Sequence, residues 1–479
     1  MSTPTQLDNA EQNSSNAYET KISAGRQRLL FVLAGLGLLA SLIGGILSDG
    51  ATLWGLLPIV LYAVLCLLGM DIVIGTVIAI ISGILIAGIG PTKIGELLGE
   101  SLADSVTMIG LIIVLGAGVG EVLRTTGVAR KIVQGVMRLT GERNRTAVAV
   151  GVMLACLILV ASLGTLAGAL AVAAPIVLPI TARLGYTRSA TASMLFIGGC
   201  AGLALAPFAG SNVAIMTAAE VNYLTYLLHG ALPIAALSMV LGPFVVSFMQ
   251  RRTAGTDDDY DLAELVDTET EEPRHARRAT VVFAVVLLAS VVFATITGAS
   301  TSFPLLALPV LGIATGLAGG LSTKQIADAM YRGGAKLISI LLLFWLLAAL
   351  FQLIDLLAPF DVILEMVGPQ LGSVSPFLVA VVVALLGWVG VPGATAAQVV
   401  LLDEVFGSLA TSVGVSAGAW VTVLLFASKA DTYGPFPNGN MVGAMGLARS
   451  SNLKNMMITG WMLLVPACLM YAVILLITT

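Results

Sequence analysis

The sequence predicts an all-α polytopic membrane protein built from two inverted-topology repeats with broken helices and re-entrant hairpins. Three observations point there: a series of long apolar runs, a similarity between the two halves, and opposite charge bias in matching loops. Of the 479 residues, 58% are hydrophobic and only 10% charged, with a mean hydropathy of +1.00, where soluble domains carry about a quarter charged residues. The 50 charges (23 basic plus 27 acidic) are clustered as well, six in residues 1–28 and fourteen in 250–278. No soluble core absorbs the remainder. Crossing a bilayer takes about 20 apolar residues, and runs of that order recur along the chain.

The elements follow in order. Residues 1–28 are polar, lack the pattern of a cleaved signal peptide, and read as a disordered cytoplasmic tail. Leu29–Leu47, within 29–52, is an extra N-terminal span. Repeat 1, residues 53–249, holds Leu53–Met70, Ile72–Gly90 beyond a turn at Asp71, Ser105–Leu123, Ala147–Leu163, Leu166–Ala182, Ala190–Ala206 and Tyr226–Met249. An acidic linker, 250–278, reads as solvated and disordered. Repeat 2, residues 279–479, holds Ala279–Thr297, Phe303–Leu321, Leu337–Leu357, Val374–Val391, Ala394–Leu409, Ala417–Ala430 and Asn455–Ile477. Each run is expected to be helical, because backbone in lipid must satisfy its own hydrogen bonds.

Orientation follows from Lys and Arg placement. The loop at 124–146 carries Arg124, Arg130, Lys131, Arg138, Arg143 and Arg145, and the linker is flanked by Arg251, Arg252, Arg274, Arg277 and Arg278. Both are expected in the cytoplasm, as is the N-terminus, in a multi-pass protein of the cell inner (cytoplasmic) membrane. Residues 358–373 carry Asp361 and Glu365 without Lys or Arg, and are expected outside.

The two halves align at a nearly constant offset. Thr92-Lys93 falls on Thr323-Lys324, Gly164-Thr165 on Gly393-Ala394, and Pro207-Phe208-Ala209-Gly210-Ser211-Asn212 on Pro435-Phe436-Pro437-Asn438-Gly439-Asn440. The basic loop of one half matches the acidic loop of the other, so the repeats are inverted. That is the architecture of many secondary transporters, whose site lies between the repeats near the midplane.

Four breaks by Gly, Pro, Asn and small hydroxyl residues interrupt otherwise apolar runs: at Ser162, Gly164 and Thr165; at Gly393 and Thr395; from Pro207 to Ser211 and Asn212; and from Pro435 to Asn438 and Asn440. Unwound backbone is tolerated at that depth where it lines a polar cavity. Asn212 and Asn440, with Thr165 and Thr395, are expected to N-cap the half-helices that follow. Pro207 and Pro435 are the hinges. Lys429 and Asp431 precede the second Pro-Phe break, and ionisable residues within a membrane default to function. Lys429 suits a carboxylate substrate, while Asp431, with Thr432, is the candidate coupling site. Glu121 reads as interfacial beside Arg124, and Asp403 and Glu404 as candidates to line a pathway.

The stretch Gly127-Val128-Ala129-Arg130-Lys131-Ile132, through Gly141-Glu142-Arg143, then the Gly164-Thr165 break and Ala173-Ala174-Pro175-Ile176-Val177, resembles the gluconate permease family. More broadly it is similar to the ion transporter superfamily, which also includes the NhaC-type sodium/proton antiporters and the C4-dicarboxylate and citrate carriers. The resemblance implies re-entrant hairpins with substrate at their tips, and a homodimer. The NhaC-type antiporters carry acids in the first-half break, where this chain reads Ala206 to Asn212 without one.

These readings combine into a secondary active transporter, a symporter for a small organic anion (carboxylate) coupled to protons. The alternative is a sodium/proton antiporter of the NhaC type, and Na+ is the alternative coupling ion. A passive channel is a further class. No HExxH, His/Cys cluster or buried Ser/His pair suggests an enzyme, four scattered cysteines suggest neither disulfide nor metal site, and no basic aromatic surface suggests nucleic acid.

Overall fold

A computed structural model describes residues 24–48, 50–140, 144–260, 273–297, 302–359, 375–389, 395–428 and 430–479, with Val362 and Met366 besides. Of Ala430 and Asp431 it describes the backbone only. Tail residues 1–23, linker residues 261–272 and the acids Asp361 and Glu365 lie outside the described residues. Regular structure there is helical, apart from one antiparallel bridge between Thr187 and Asp259. Among the described residues nine helices are long and apolar enough to cross a membrane, and five shorter apolar ones accompany them. The chain is a multi-pass membrane protein.

The first compact unit comprises residues up to Gly99 together with Ala349–Met366. It holds α1 (Ala24–Leu47), α2 (Leu57–Leu67), α3 (Ile72–Ala87) and most of α4 (Pro91–Glu100). Asp71 caps α3 by accepting the Val73 and Ile74 N–H groups, so the expected turn there is also a helix start. The buried hydroxyls of Ser41 and Ser82 meet at 2.7 Å, a polar contact of the kind that ties apolar helices together.

The second unit, Glu100–Ala348 with Val367–Thr479, carries the rest. In chain order it contains α5 (Ser105–Thr125), α6 (Val128–Thr140), α7 (Arg145–Leu163), α8 (Leu166–Arg183), α9 (Arg188–Leu205), α10 (Gly210–Ala218) and α11 (Tyr223–Thr253), the last with a π-turn at Leu227–Ala231. Then follow α12 (Ala276–Thr297), α13 (Pro304–Ala318), α14 (Thr323–Ala335) and α15 (Ile338–Leu357), whose end belongs to the first unit. The series closes with α16 (Pro376–Leu386), α17 (Thr395–Ser412), α18 (Ala417–Ser428), α19 (Ala430–Tyr433), α20 (Gly439–Leu447) and α21 (Leu453–Thr478). The order of elements repeats: long, amphipathic, long, hairpin, broken helix, long. Thus α7–α8 corresponds to α16–α17, α9 and α10 to α18–α19 and α20, and α11 to α21.

Hydrogen bonds fix the relative directions of these helices. The start of α9 meets the end of α11, where Thr187 and Thr253 hydroxyls lie 2.7 Å apart and Gln250 Nε2 donates to the Gly185 carbonyl at 3.0 Å. At the other end, Tyr226 OH near the start of α11 donates to the Ala204 carbonyl at 2.7 Å. Hence α9 and α11 are antiparallel. Helix α21 instead runs parallel to α9, because Asn455 Nδ2 donates to Ser189 Oγ at 3.1 Å and Thr459 meets Ser193 at 2.8 Å. The matched helices α11 and α21 therefore point in opposite directions, as inversion requires. Likewise α18 begins where α9 ends, with Thr422 Oγ1 donating to the His229 carbonyl at 2.6 Å.

Central α9 is buried along nearly its whole length. Its small residues Ser189, Ser193, Gly198 and Gly202 admit neighbours closely, and their hydroxyls bond across helices instead of to solvent.

Glu121 is buried near the end of α5: it bonds Arg124, and Arg332 of α14 approaches its Oε1 to 3.9 Å, so two guanidinium groups compensate its burial. One expectation changes. The linker starts later than its charges suggest. Residues 250–253 continue α11, and the stretch 254–260 is held across the start of α9. There Asp258 Oδ2 accepts the Ser189 N–H at 2.9 Å, its carbonyl accepts the Arg188 N–H at 2.8 Å, and Tyr260 OH donates to the Ala448 carbonyl at 2.8 Å. A carboxylate at a helix N-terminus is favoured by unpaired N–H groups and the dipole. Asp258→Ala is expected to cost about 1 kcal/mol or less, and to speed tryptic cleavage at Arg251 and Arg252. Unchanged cleavage would show that the segment is held some other way.

Candidate functional site

Three of the four breaks fall where the sequence places them, each built by local chemistry, and the fourth, at Gly393, lies outside the described residues. Helix α7 ends on Gly164, whose φ of 70° is left-handed and whose Cα side lies against Phe208 and Ala209. A side chain there would be strained by the left-handed backbone. The open end of this hairpin is fixed by Arg145 Nε donating to the Leu184 carbonyl at 2.7 Å and by Tyr186 OH donating to the Arg145 carbonyl at 2.7 Å. The second hairpin, α16–α17, is tied near its tip by the Gln398 amide donating to the Gly387 carbonyl. Its open end lies on the opposite side, toward the start of α18. Two hairpins thus enter from opposite faces.

Between α9 and α10 the chain is unwound from Ala206 to Ala209, at Pro207. Asn212 is not the N-cap of the following half-helix; that position is Ala209, and Asn212 stands in the first turn of α10. Its Nδ2 turns back to the preceding helix and donates to the carbonyls of Leu203 (2.7 Å), Ala206 (2.8 Å) and Ala204 (3.2 Å), while Ser211 Oγ donates to its Oδ1 at 3.2 Å. The end of α9 leaves carbonyls without intrahelical donors, and a two-proton amide serves them better than a cap.

In the second half the unwound stretch runs from Gly434 to Asn438 at Pro435. Here too the expected cap is displaced. Asn438, extended after Pro437, caps α20 by accepting the Met441 N–H at 3.0 Å, and Asn440 is already inside the helix. Asn438 Nδ2 also donates to the Thr432 carbonyl at 3.5 Å. Thr165 occupies an N-cap position without a side-chain cap bond, and Ser162 donates to the Ile158 carbonyl of its own helix at 2.7 Å.

Residues from both halves line one small cavity: Cys200, Leu203 and Ala204 at the end of α9, Ser211 and Asn212 on α10, Thr395 at the start of α17, and Ser428 and Thr432 around the end of α18. Four of the residues singled out from the sequence, Ser211, Asn212, Thr395 and Thr432, meet there. Ser162, Gly164 and Thr165 are not among its lining. Gly164 abuts the first break instead, and Asn438 reaches the cavity wall through the Thr432 carbonyl. Gly393 and Lys429 lie outside the described residues. Asp431 sits beside Thr432 in α19, with only its backbone described.

Cys200, Leu203, Ala204 and Ser428 were missed by sequence reasoning. The repeat offset of 228 was the available signal, since it carries Cys200 onto Ser428 and Ala204 onto Thr432. Two pairs of repeat mates in one lining place the cavity on the axis relating the halves. Across it, Cys200 Sγ donates to the Thr432 carbonyl at 3.8 Å.

Three of the four hydroxyls of this lining, those of Ser211, Ser428 and Thr432, have a common polarity. Ser211 Oγ–H points to Asn212 Oδ1, Ser428 Oγ–H to the Leu425 carbonyl at 2.8 Å, and Thr432 Oγ1–H to the Ser428 carbonyl at 3.3 Å. With their protons committed, these oxygens retain only lone pairs for a visitor. Among the described residues no group of three His, Cys, Asp or Glu could hold a metal ion.

A family model described as the Na+/H+ antiporter family matches residues 32–247, the first repeat and the span before it. Two solved structures share the architecture. The Alcanivorax borkumensis YdaH transporter, described as having an unusual topology, superposes with a TM-score of 0.56 at 16% identity, over 94% of this chain and 98% of its own. Neisseria gonorrhoeae MtrF, described as illuminating a class of antimetabolite efflux pumps, gives a TM-score of 0.56 at 14% identity, covering 94% of each chain. No curated protein matches the sequence.

Proposed function

We propose that the chain exchanges a small monovalent cation, sodium foremost, for protons across the cytoplasmic membrane. The observation that carries this reading is the polarity of the cavity: Ser211, Ser428 and Thr432 offer oxygen lone pairs, with the ends of two helices nearby, and no positive charge stands among the described lining residues. Half-helix C-termini and hydroxyl oxygens suit a desolvated cation. The antiporter family model over the first repeat supports the same reading. Asp431, adjacent in sequence to Thr432, is the proton carrier; the two half-sites alternate access by rocking about Pro207 and Pro435.

A second reading, a small organic anion moved with protons, is favoured by Lys429 beside the cavity segment, which would pair with a carboxylate, and by the helix N-termini at Ser211 and Thr395. Proteoliposomes with an internal pH dye separate the two. Sodium added outside, with no organic solute, is expected to drive proton exit, and Asp431→Asn is expected to abolish it while the protein stays folded. Silence toward sodium, together with pH-driven uptake of an organic acid that Lys429→Ala removes, would establish the second reading in its place.

A further inference from the structure

We propose that Asp403 is a second proton-exchanging group, on the branch of the pathway between the cavity and the side opposite the basic loops, and that Trp420 positions it. The inference rests on the exchange reading above and extends it to a residue outside the cavity. Helix α17 begins with Thr395 in the cavity lining. Asp403 lies eight residues further on, about 12 Å along the axis at 1.5 Å per residue, roughly midway to the open end at Ser412.

Its surroundings suit a group that gains and loses a proton. Trp420 Nε1 of α18 donates to Asp403 Oδ1 at 2.7 Å. Among the described residues no Lys, Arg or His forms an ion pair with it. The packed elements supply few other charges. Glu220, just past α10, is the acid whose field reaches Asp403. Glu404 is its neighbour on α17, and His229 lies against Gly418, two residues before Trp420 on α18. Described α16 carries no titratable residue.

A guanidinium partner would hold the carboxylate ionised. An indole N–H can serve a carboxylate oxygen or the carbonyl oxygen of the neutral acid, so the side chain keeps its place in both protonation states. Without a cation to compensate it, an acid at this depth is costly unless it serves transport. Trp420 is thus a positioning residue and Asp403 the exchanging one.

The test measures sodium-driven proton movement in oriented proteoliposomes while pH is varied on one side at a time. Asp403→Asn is expected to flatten the dependence on pH at the side opposite the basic loops and to leave the other side's dependence in place. Trp420→Phe, which keeps the ring and loses the N–H, is expected to shift the same profile, and Asp403→Glu to restore it in part. Glu96→Gln, at an exposed carboxylate on α4, is the control and is expected to leave the profile unaltered. Wild-type profiles on both sides in folded Asp403→Asn protein would overturn the assignment while leaving sodium/proton exchange standing. Absence of sodium-driven proton movement in the wild type would instead remove the exchange reading itself.

Discussion

Asn212→Ala is expected to abolish transport and lower the melting temperature together. Its amide is 3% exposed and serves three carbonyls at the end of α9. An unsatisfied buried group costs about 1–3 kcal/mol, and alanine leaves none of the three with this donor. The Ala204 carbonyl keeps the Tyr226 hydroxyl, whereas no other bond to the Leu203 or Ala206 carbonyl from a side chain is seen among the described residues. The Ala206 N–H still bonds the Leu203 carbonyl and the Ala209 N–H the Ala206 carbonyl, both at 3.4 Å, long contacts that replace little of the loss. Asn212→Asp distinguishes geometry from volume. A carboxylate of nearly the same shape would direct oxygen at oxygen, so it is expected to be at least as damaging as alanine. Thermal unfolding in detergent and sodium-driven proton movement in proteoliposomes are the two readouts. An alanine variant with wild-type melting and transport would show that the break does not depend on this amide.

The displaced role of Asn212 illustrates what the sequence could and could not reveal. The repeat, its inversion and three of the four breaks were legible because each leaves a pattern in one dimension: matched Pro-Phe segments, basic against acidic loops, Gly and Pro within apolar runs. Which end of an interrupted helix an asparagine serves is not such a pattern. Asn212 and Asn438 stand at different distances from their prolines, and the choice depends on which orphaned groups, N–H or C=O, lie within reach. The same limit applies to Ser162, whose hydroxyl bonds its own helix, and to Asp258, which meets a backbone N–H 69 residues away. Cys200 and Ala204 have side chains with little chemistry to flag them. They acquire meaning only through the mates Ser428 and Thr432 that the fold brings to the same cavity. Glu121 pairs with Arg124, near in sequence, whereas its second partner, Arg332, comes from the other half.

The close approach of α7 and α9 gives the other large expected effect. A Cβ on Gly198 would stand 2.2 Å from the Met153 carbonyl oxygen, and one on Gly202 2.3 Å from that of Leu157. Both obstacles are backbone atoms, which no side-chain rotation can move aside. The helices must separate, and overpacking of this kind costs about 1–3 kcal/mol per site. Separation matters beyond stability, because α7 carries the hairpin tip at Gly164 and α9 leads into the break that this tip touches at Phe208 and Ala209. Moving one helix against the other therefore pulls the tip from the break. Gly198→Ala and Gly202→Ala are each expected to lower the melting temperature, and the double variant to lose transport even where folded protein is recovered. Gly135→Ala is the matched control, since a Cβ there meets nothing within 4 Å; removing a mid-helix glycine is worth about 0.5–1 kcal/mol in the favourable direction. Equal melting temperatures for Gly202→Ala and Gly135→Ala would mean that α7 and α9 do not hold the two breaks in register.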